Sequence, residues 1–182
     1  GIIRHDAVVW GFARGADVDF DWLGAAAKFQ EALRLSPDDV SAYAVRAWVR
    51  ELSDDNQAAA SDYSEAIRRD PGDARLLLAR GAVYARLEKY PESLADRNEA
   101  VQLQPRSAEA YVARANSYRL MGESDKSIAD LTIATGLEVS YAPAWAARGE
   151  QYFLLGRYDE ALADLERAQK LDPANVETGK LL

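Results

Sequence analysis

An all-α protein built of short helical hairpins stacked side by side is what this sequence predicts. Three observations predict it: a 34-residue spacing, small residues at fixed places within each period, and helical periodicity on both sides of each turn. The spacing is set by Pro37, Pro71 and Pro105, which lie 34 residues apart, with Pro173 two periods beyond Pro105 and Val139 at the skipped place. Five residues before each of these stand Ala32, Ala66, Ala100, Ala134 and Ala168, and twelve before stand Ala25, Ala59, Ser93, Ser127 and Ala161. Twenty-four before come Ala13, Ala47, Gly81, Ala115 and Gly149. Bulky residues recur too: Tyr43, Leu77, Tyr111 and Trp145 open the units, and Tyr84, Tyr118 and Tyr152 follow seven residues after the last three. Close approach of two helix axes requires missing side-chain volume at the crossing, which Gly and Ala supply. That accounts for Gly81, although glycine costs roughly 1 kcal/mol relative to alanine inside a helix.

Taken in order, residues 1–19 form a leader with two open readings. Val9, Phe12 and Ala13 fit a degenerate first helix, whereas the β-branched and aromatic residues of VVWGFARGADV, with Gly11 and Gly15, suit an extended segment. Within it WGFARGADV is similar to the closing stretch of bacterial Src-homology-3-like domains. Asp21 is placed to cap the helix that follows, and residues 20–39 hold the second helix of a partial first unit. Residues 40–73, 74–107, 108–141 and 142–175 are full units of two amphipathic helices. In the last, Ala142 to Leu155 carries Trp145, Gly149, Tyr152 and Phe153 at helical spacing, Gly156 breaks the pattern, and Tyr158 to Leu171 carries Ala161, Leu165 and Ala168. Pro91 and Pro143 stand where helices open and a missing N–H does no harm, while LSP, LQP and LDP close the second helices. VETGKLL, residues 176–182, begins a further, capping helix.

A second periodicity joins the two helices of each unit. Arg46, Arg80, Arg114 and Arg148 recur on the first helices, and Asp62, Asp96, Asp130 and Asp164 follow 16 residues later on the second. Pairing each Asp with the next unit's Arg would set Arg46 against Lys28 and Asp164 against Leu182. Pairing within units leaves no orphan, so four bidentate bridges locking the hairpins are expected, structural and not ligand-binding.

The period, the small residues, the aromatics and the terminal proline together resemble the tetratricopeptide repeat, over residues 40–175 as four units with part of a fifth before them. The departures are Val139 for proline, SDDN at residues 53–56 where a glycine turn is common, and Arg97 where an aromatic or Leu is usual. The resemblance implies a right-handed superhelical solenoid whose first helices turn one stripe toward a concave groove. Steps of three and four residues place on that stripe Ser41, Ala44, Trp48 and Glu51; Arg75, Leu78, Ala82 and Ala85; Glu109, Val112, Asn116 and Arg119; and Pro143, Ala146, Glu150 and Phe153. From these come the candidate groove residues: Trp48, Leu78, Val112 and Phe153 as anchors, and Arg75, Asn116, Arg119 and Glu150 for polar selection. Trp48 has two readings, packing or exposed anchor, and Arg75 and Arg119 either bind carboxylates or are solvated. Family members that grip a C-terminal carboxylate use groove Lys, Asn and Arg; here those places hold Ala44, Trp48, Ala79, Glu109 and Ala113, so that activity is not implied.

Composition narrows the function classes. With 48% hydrophobic and 29% charged residues the chain is globular in composition, and it contains no apolar run long enough to insert in a membrane. A net charge of -8 argues against a nucleic-acid surface, which depends on clustered Lys and Arg. Without cysteine, and with His5 as the single histidine, no catalytic, metal or cofactor chemistry is expected; no phosphate loop, HExxH or calcium loop appears. The carboxylates follow solvated helix faces. Two readings remain: a scaffold that binds a protein or peptide partner in the groove, or a structural subunit that joins a larger assembly through its ends and convex faces.

Overall fold

The structure, a computed structural model, describes residues 22–174. The leader with His5, Val9, Phe12 and Ala13, the expected cap Asp21 and the segment 176–182 lie outside the described residues. Among the described residues every regular element is a helix: α1 (Trp22–Leu35), α2 (Val40–Leu52), α3 (Asn56–Arg69), α4 (Ala74–Arg86), α5 (Tyr90–Leu103), α6 (Ala108–Leu120), α7 (Ser124–Leu137), α8 (Ala142–Leu154) and α9 (Tyr158–Leu171).

Local chemistry fixes where these helices begin. Asp39, Asp73 and Ser107, each two residues past a turn proline, accept the backbone N–H of Ala42, Arg75 and Ala110. Tyr141 holds the same place after Val139 and makes no side-chain cap. Asp55 caps α3 by accepting from Ala58. Pro91 and Pro143 sit in the first turns of α5 and α8.

The turns inside the hairpins share one backbone conformation. Asp54, Glu88, Gly122 and Gly156 have φ of 62°, 59°, 76° and 74°. SDDN therefore makes the left-handed turn that glycine makes elsewhere, and Glu88 does so as well, at a steric cost of about 1 kcal/mol that glycine avoids. The packing of the two helices imposes this turn, and the residue in it adapts.

Each of the hairpins α2/α3, α4/α5, α6/α7 and α8/α9 packs chiefly on itself and then on its sequence neighbours, with α1 packed on α2. The first helices also meet one another, α4 with α6 and α6 with α8, and no two second helices approach as closely. The stack thus bends with its first helices on the inside, a helical repeat solenoid with an inner face built from α2, α4, α6 and α8.

Small residues sit where the helices cross. Ala47, Ala59, Ala66, Ala100 and Ala134 are completely buried, and Gly81 and Gly149 are buried beside them, while Ala32 on α1 is exposed. A Cβ on Gly149 would lie 2.8 Å from Leu165 Cγ and 3.2 Å from the Ala161 carbonyl oxygen. On Gly81 it would lie 3.3 Å from Arg97 Cγ and from the Ser93 carbonyl oxygen.

Candidate peptide-binding groove

Four ion pairs hold the wall of the groove. The Nε and Nη2 groups of Arg46 donate to Asp62 at 2.7 and 2.6 Å, those of Arg80 to Asp96 at 2.9 and 2.7 Å, those of Arg114 to Asp130 at 2.7 and 2.7 Å, and those of Arg148 to Asp164 at 2.7 and 2.9 Å. All four carboxylates are buried, and the hydrogen bonds to them raise each arginine above its ordinary pKa. Arg50 adds a further donor to Asp62 at 2.8 Å.

The remaining guanidinium nitrogen does something the Arg and Asp spacing alone did not disclose. Arg80 Nη1 donates to Ser64 Oγ at 3.0 Å, Arg114 Nη1 to Asn98 Oδ1 at 3.3 Å, and Arg148 Nη1 to Thr132 and Thr135 Oγ1 at 3.3 and 3.1 Å. Each of these arginines thus binds its own hairpin through a carboxylate and the preceding hairpin through a neutral acceptor. The signal in the sequence is a polar residue, Ser64, Asn98 or Thr132, two places after each of the first three aspartates.

Along the inner face, the candidate residues separate into groups. Trp48 on α2 is half-buried, and Leu78 on α4 is half-buried against Ala74, Leu77 and Ala100. Arg75 is exposed, and its Nε and Nη2 donate to the capping carboxylate of Asp73 at 3.0 and 2.9 Å. Val112, Asn116, Arg119 and Glu150 come together in one cleft of about 320 Å³ between α6, α7 and α8. Phe153 stands apart from that cleft. It is exposed, meets Tyr158 edge-on at 5.7 Å between ring centroids, and faces a hollow shared with Ala161, Leu162 and Leu165 on the last described hairpin.

The cleft carries groups beyond the expected anchors. Ala113, Ala115, Ala147 and Leu131 form its apolar wall, and Glu109, Ser127, Tyr141 and Gln151 complete it. Burial, and then the charges of Glu109 and Glu138, push the Tyr141 phenol above its ordinary pKa. Arg119 donates from Nε and Nη2 to Asn116 Oδ1 at 3.1 and 2.8 Å. Gln151 is buried, and its Nε2 has no hydrogen-bond partner among the described residues. At intervals of one repeat period before it, its counterparts are Ser117, Val83 and Val49, so a carboxamide among mostly apolar residues was the available signal.

Arg97, the departure on α5, is buried in the wall between two hairpins. Its Nη1 donates to Ser117 Oγ at 2.8 Å, and Ser93 Oγ lies 3.0 Å from Ser117 Oγ and donates to the Gly81 carbonyl at 2.8 Å. Among the described residues no carboxylate pairs with Arg97 and its Nε has no hydrogen-bond partner, and burial pushes the guanidinium down to about 10. Among the described residues no cluster of His, Asp and Glu is arranged to hold a metal ion, and no helix is long and apolar enough to cross a membrane.

Comparison with known proteins fits this geometry. One family profile described as tetratricopeptide repeat matches residues 21–74 and again 52–108, and another of the same description matches residues 142–175. The fold is similar to that of a thermophilic TPR protein of Thermus thermophilus, with a TM-score of 0.75 and 25% identity over 87% of each chain. It is also similar to MamA, with a TM-score of 0.74 and 19% identity over 86% of this chain and 92% of that one. YrrB, described as a TPR protein with an unusual peptide-binding site, aligns with a TM-score of 0.68 and 22% identity over 88% of this chain and 84% of its own. No curated protein sequence matches the chain.

Proposed function

Because this chain belongs to the tetratricopeptide repeat family, whose fold is generally a protein–protein interaction scaffold, we propose that it binds an extended partner segment along the inner face of its first helices. The observation that carries this reading is the cleft between α6, α7 and α8, where Val112, Asn116, Arg119 and Glu150 converge on a hollow that the packing of the repeats leaves open. Trp48 and Leu78 continue the surface along α2 and α4, each with an apolar side chain that is only half-buried. The likeness to YrrB, which has a peptide-binding site, supports the same use of the fold.

In this role the protein needs no catalytic group and no cofactor, and its buried carboxylates serve as partners of arginines within the hairpins. The net charge of -8 argues against nucleic acid as the partner, since it opposes a phosphate backbone.

The test is affinity capture with mass spectrometry, comparing the intact protein with a Trp48→Ala, Arg119→Ala double variant. Partner recovery is expected to fall at least about tenfold, the equivalent of roughly 1.4 kcal/mol. A second reading has its own observation: Phe153, Leu154, Leu155, Tyr158 and Leu162 are all exposed on the hairpin α8/α9. Recovery that survives the groove substitutions but is lost in Leu162→Ser, with the helical content unchanged, would favour a structural subunit joined through that face.

A further inference from the structure

The same cleft carries more chemical information than its shape. Its charged lining residues are Glu109, Glu150 and Arg119, and Arg119 is turned to the neutral Asn116 carboxamide. Neither Glu109 nor Glu150 is in a salt bridge among the described residues, although both are exposed and face the same hollow. Beneath them Gln151 is only 2% exposed, and its Nε2 has no partner. An unpaired buried amide costs stability, and the corresponding places on α2 and α4 hold the buried valines Val49 and Val83. The lining thus offers two free carboxylates at the mouth, an apolar wall of Val112, Ala113, Ala147 and Leu131, and a two-sided carboxamide at the base. A volume of about 320 Å³ holds one long side chain and the main chain beside it.

We infer that this cleft is a pocket for a single basic side chain, lysine or arginine, of a partner segment, with Glu109 and Glu150 as its counter-ions. The inference rests on the groove reading and names the chemistry of its ligand. The aliphatic stem of such a side chain lies on the apolar wall while its cation reaches the carboxylates. Gln151 completes the base of the pocket, where its carbonyl oxygen accepts from the cation. An acidic side chain would meet two carboxylates for one engaged arginine. The net charge of -8 also draws basic segments toward the protein at low salt.

The probes are four capped tripeptides, acetyl-Ala-X-Ala-amide with X as arginine, lysine, norleucine or glutamate. They are titrated into the full ¹⁵N-labelled chain and followed by NMR. The arginine and lysine probes should give saturable shifts at the Gln151 side-chain amide and at the Asn116 and Ala147 backbone amides, and the norleucine and glutamate probes should not. Glu109→Gln with Glu150→Gln, both at exposed positions, should weaken the arginine probe at least about tenfold. Gln151→Val should raise Tm and also weaken binding, so the loss is not one of folding. Equal binding of the norleucine or glutamate probe, an unchanged affinity in the double Glu→Gln variant, or no saturable response overturns the inference. If the arginine probe fails while partner capture still depends on Trp48 and Arg119, the basic pocket is wrong and the groove reading stands. If the probe binds but capture ignores those residues, the groove reading fails while the pocket stands.

Discussion

Gly81 and Gly149 occupy one structural place on different first helices, and what a side chain would meet there differs between them. At Gly149 the added carbon would press on Leu165 Cγ at 2.8 Å with the Ala161 carbonyl oxygen at 3.2 Å, so both a branched side chain and backbone would have to move. At Gly81 the tightest neighbours, Arg97 Cγ and the Ser93 carbonyl oxygen, stand at 3.3 Å, so they need give by only a few tenths of an ångström. Alanine recovers roughly 1 kcal/mol of helix propensity at either site. Gly81→Ala is therefore expected within about 1 kcal/mol of neutral, whereas Gly149→Ala should destabilise by about 1–3 kcal/mol through overpacking. Urea denaturation midpoints measure both, and equal effects would show that the two crossings are no different in tightness.

Within each hairpin, the two helices are closed by their buried bridge as much as by their apolar contacts. The Arg80 and Asp96 pair makes two hydrogen bonds at 2.9 and 2.7 Å, with both side chains largely removed from solvent. Replacing either residue alone by alanine leaves the other charge buried and is expected to cost about 3–5 kcal/mol. The double variant should be less destabilised than the sum of the singles by more than about 1 kcal/mol, and a cycle of chemical denaturation experiments reads that difference. Simple additivity would mean that the bridge does not couple the helices. Because Arg80 also donates to Ser64 on α3, its loss should loosen the join to the preceding hairpin, which Asp96→Ala does only indirectly.

Across the full stack of repeats, one buried cation runs against the pattern. Positions equivalent to Arg97 hold Tyr63, Leu131 and Leu165, all buried apolar or aromatic residues. Arg97 instead carries an unpaired guanidinium into the contact between α4/α5 and α6, where Ser117 is its hydrogen-bond partner. Arg97→Leu should stabilise the protein by about 1–3 kcal/mol, since it removes desolvation without breaking an ion pair and leaves Ser93 bonded to Ser117 and Gly81. A thermal melt of the variant checks this, and a lowered Tm would mean that the serine cluster needs the arginine to hold the repeats in register.

The period, the helical hairpins, the buried small residues and the spacing at which arginine and aspartate stand on facing helices were all legible in the order of residues alone. Those features repeat, and repetition makes a local physical demand visible without coordinates. Features that break the repeat or join distant places became visible only in the packed chain. Glu88 takes the left-handed turn because the helices around it impose the chain reversal, and the third nitrogen of each of Arg80, Arg114 and Arg148 finds an acceptor on the hairpin before it. Likewise four of the eight candidate groove residues share one cleft with Glu109 and Gln151, while Phe153 lies elsewhere. A stripe of residues on successive helices is legible from spacing. Which members of it converge depends on the bend of the stack, set by packing summed over all the hairpins.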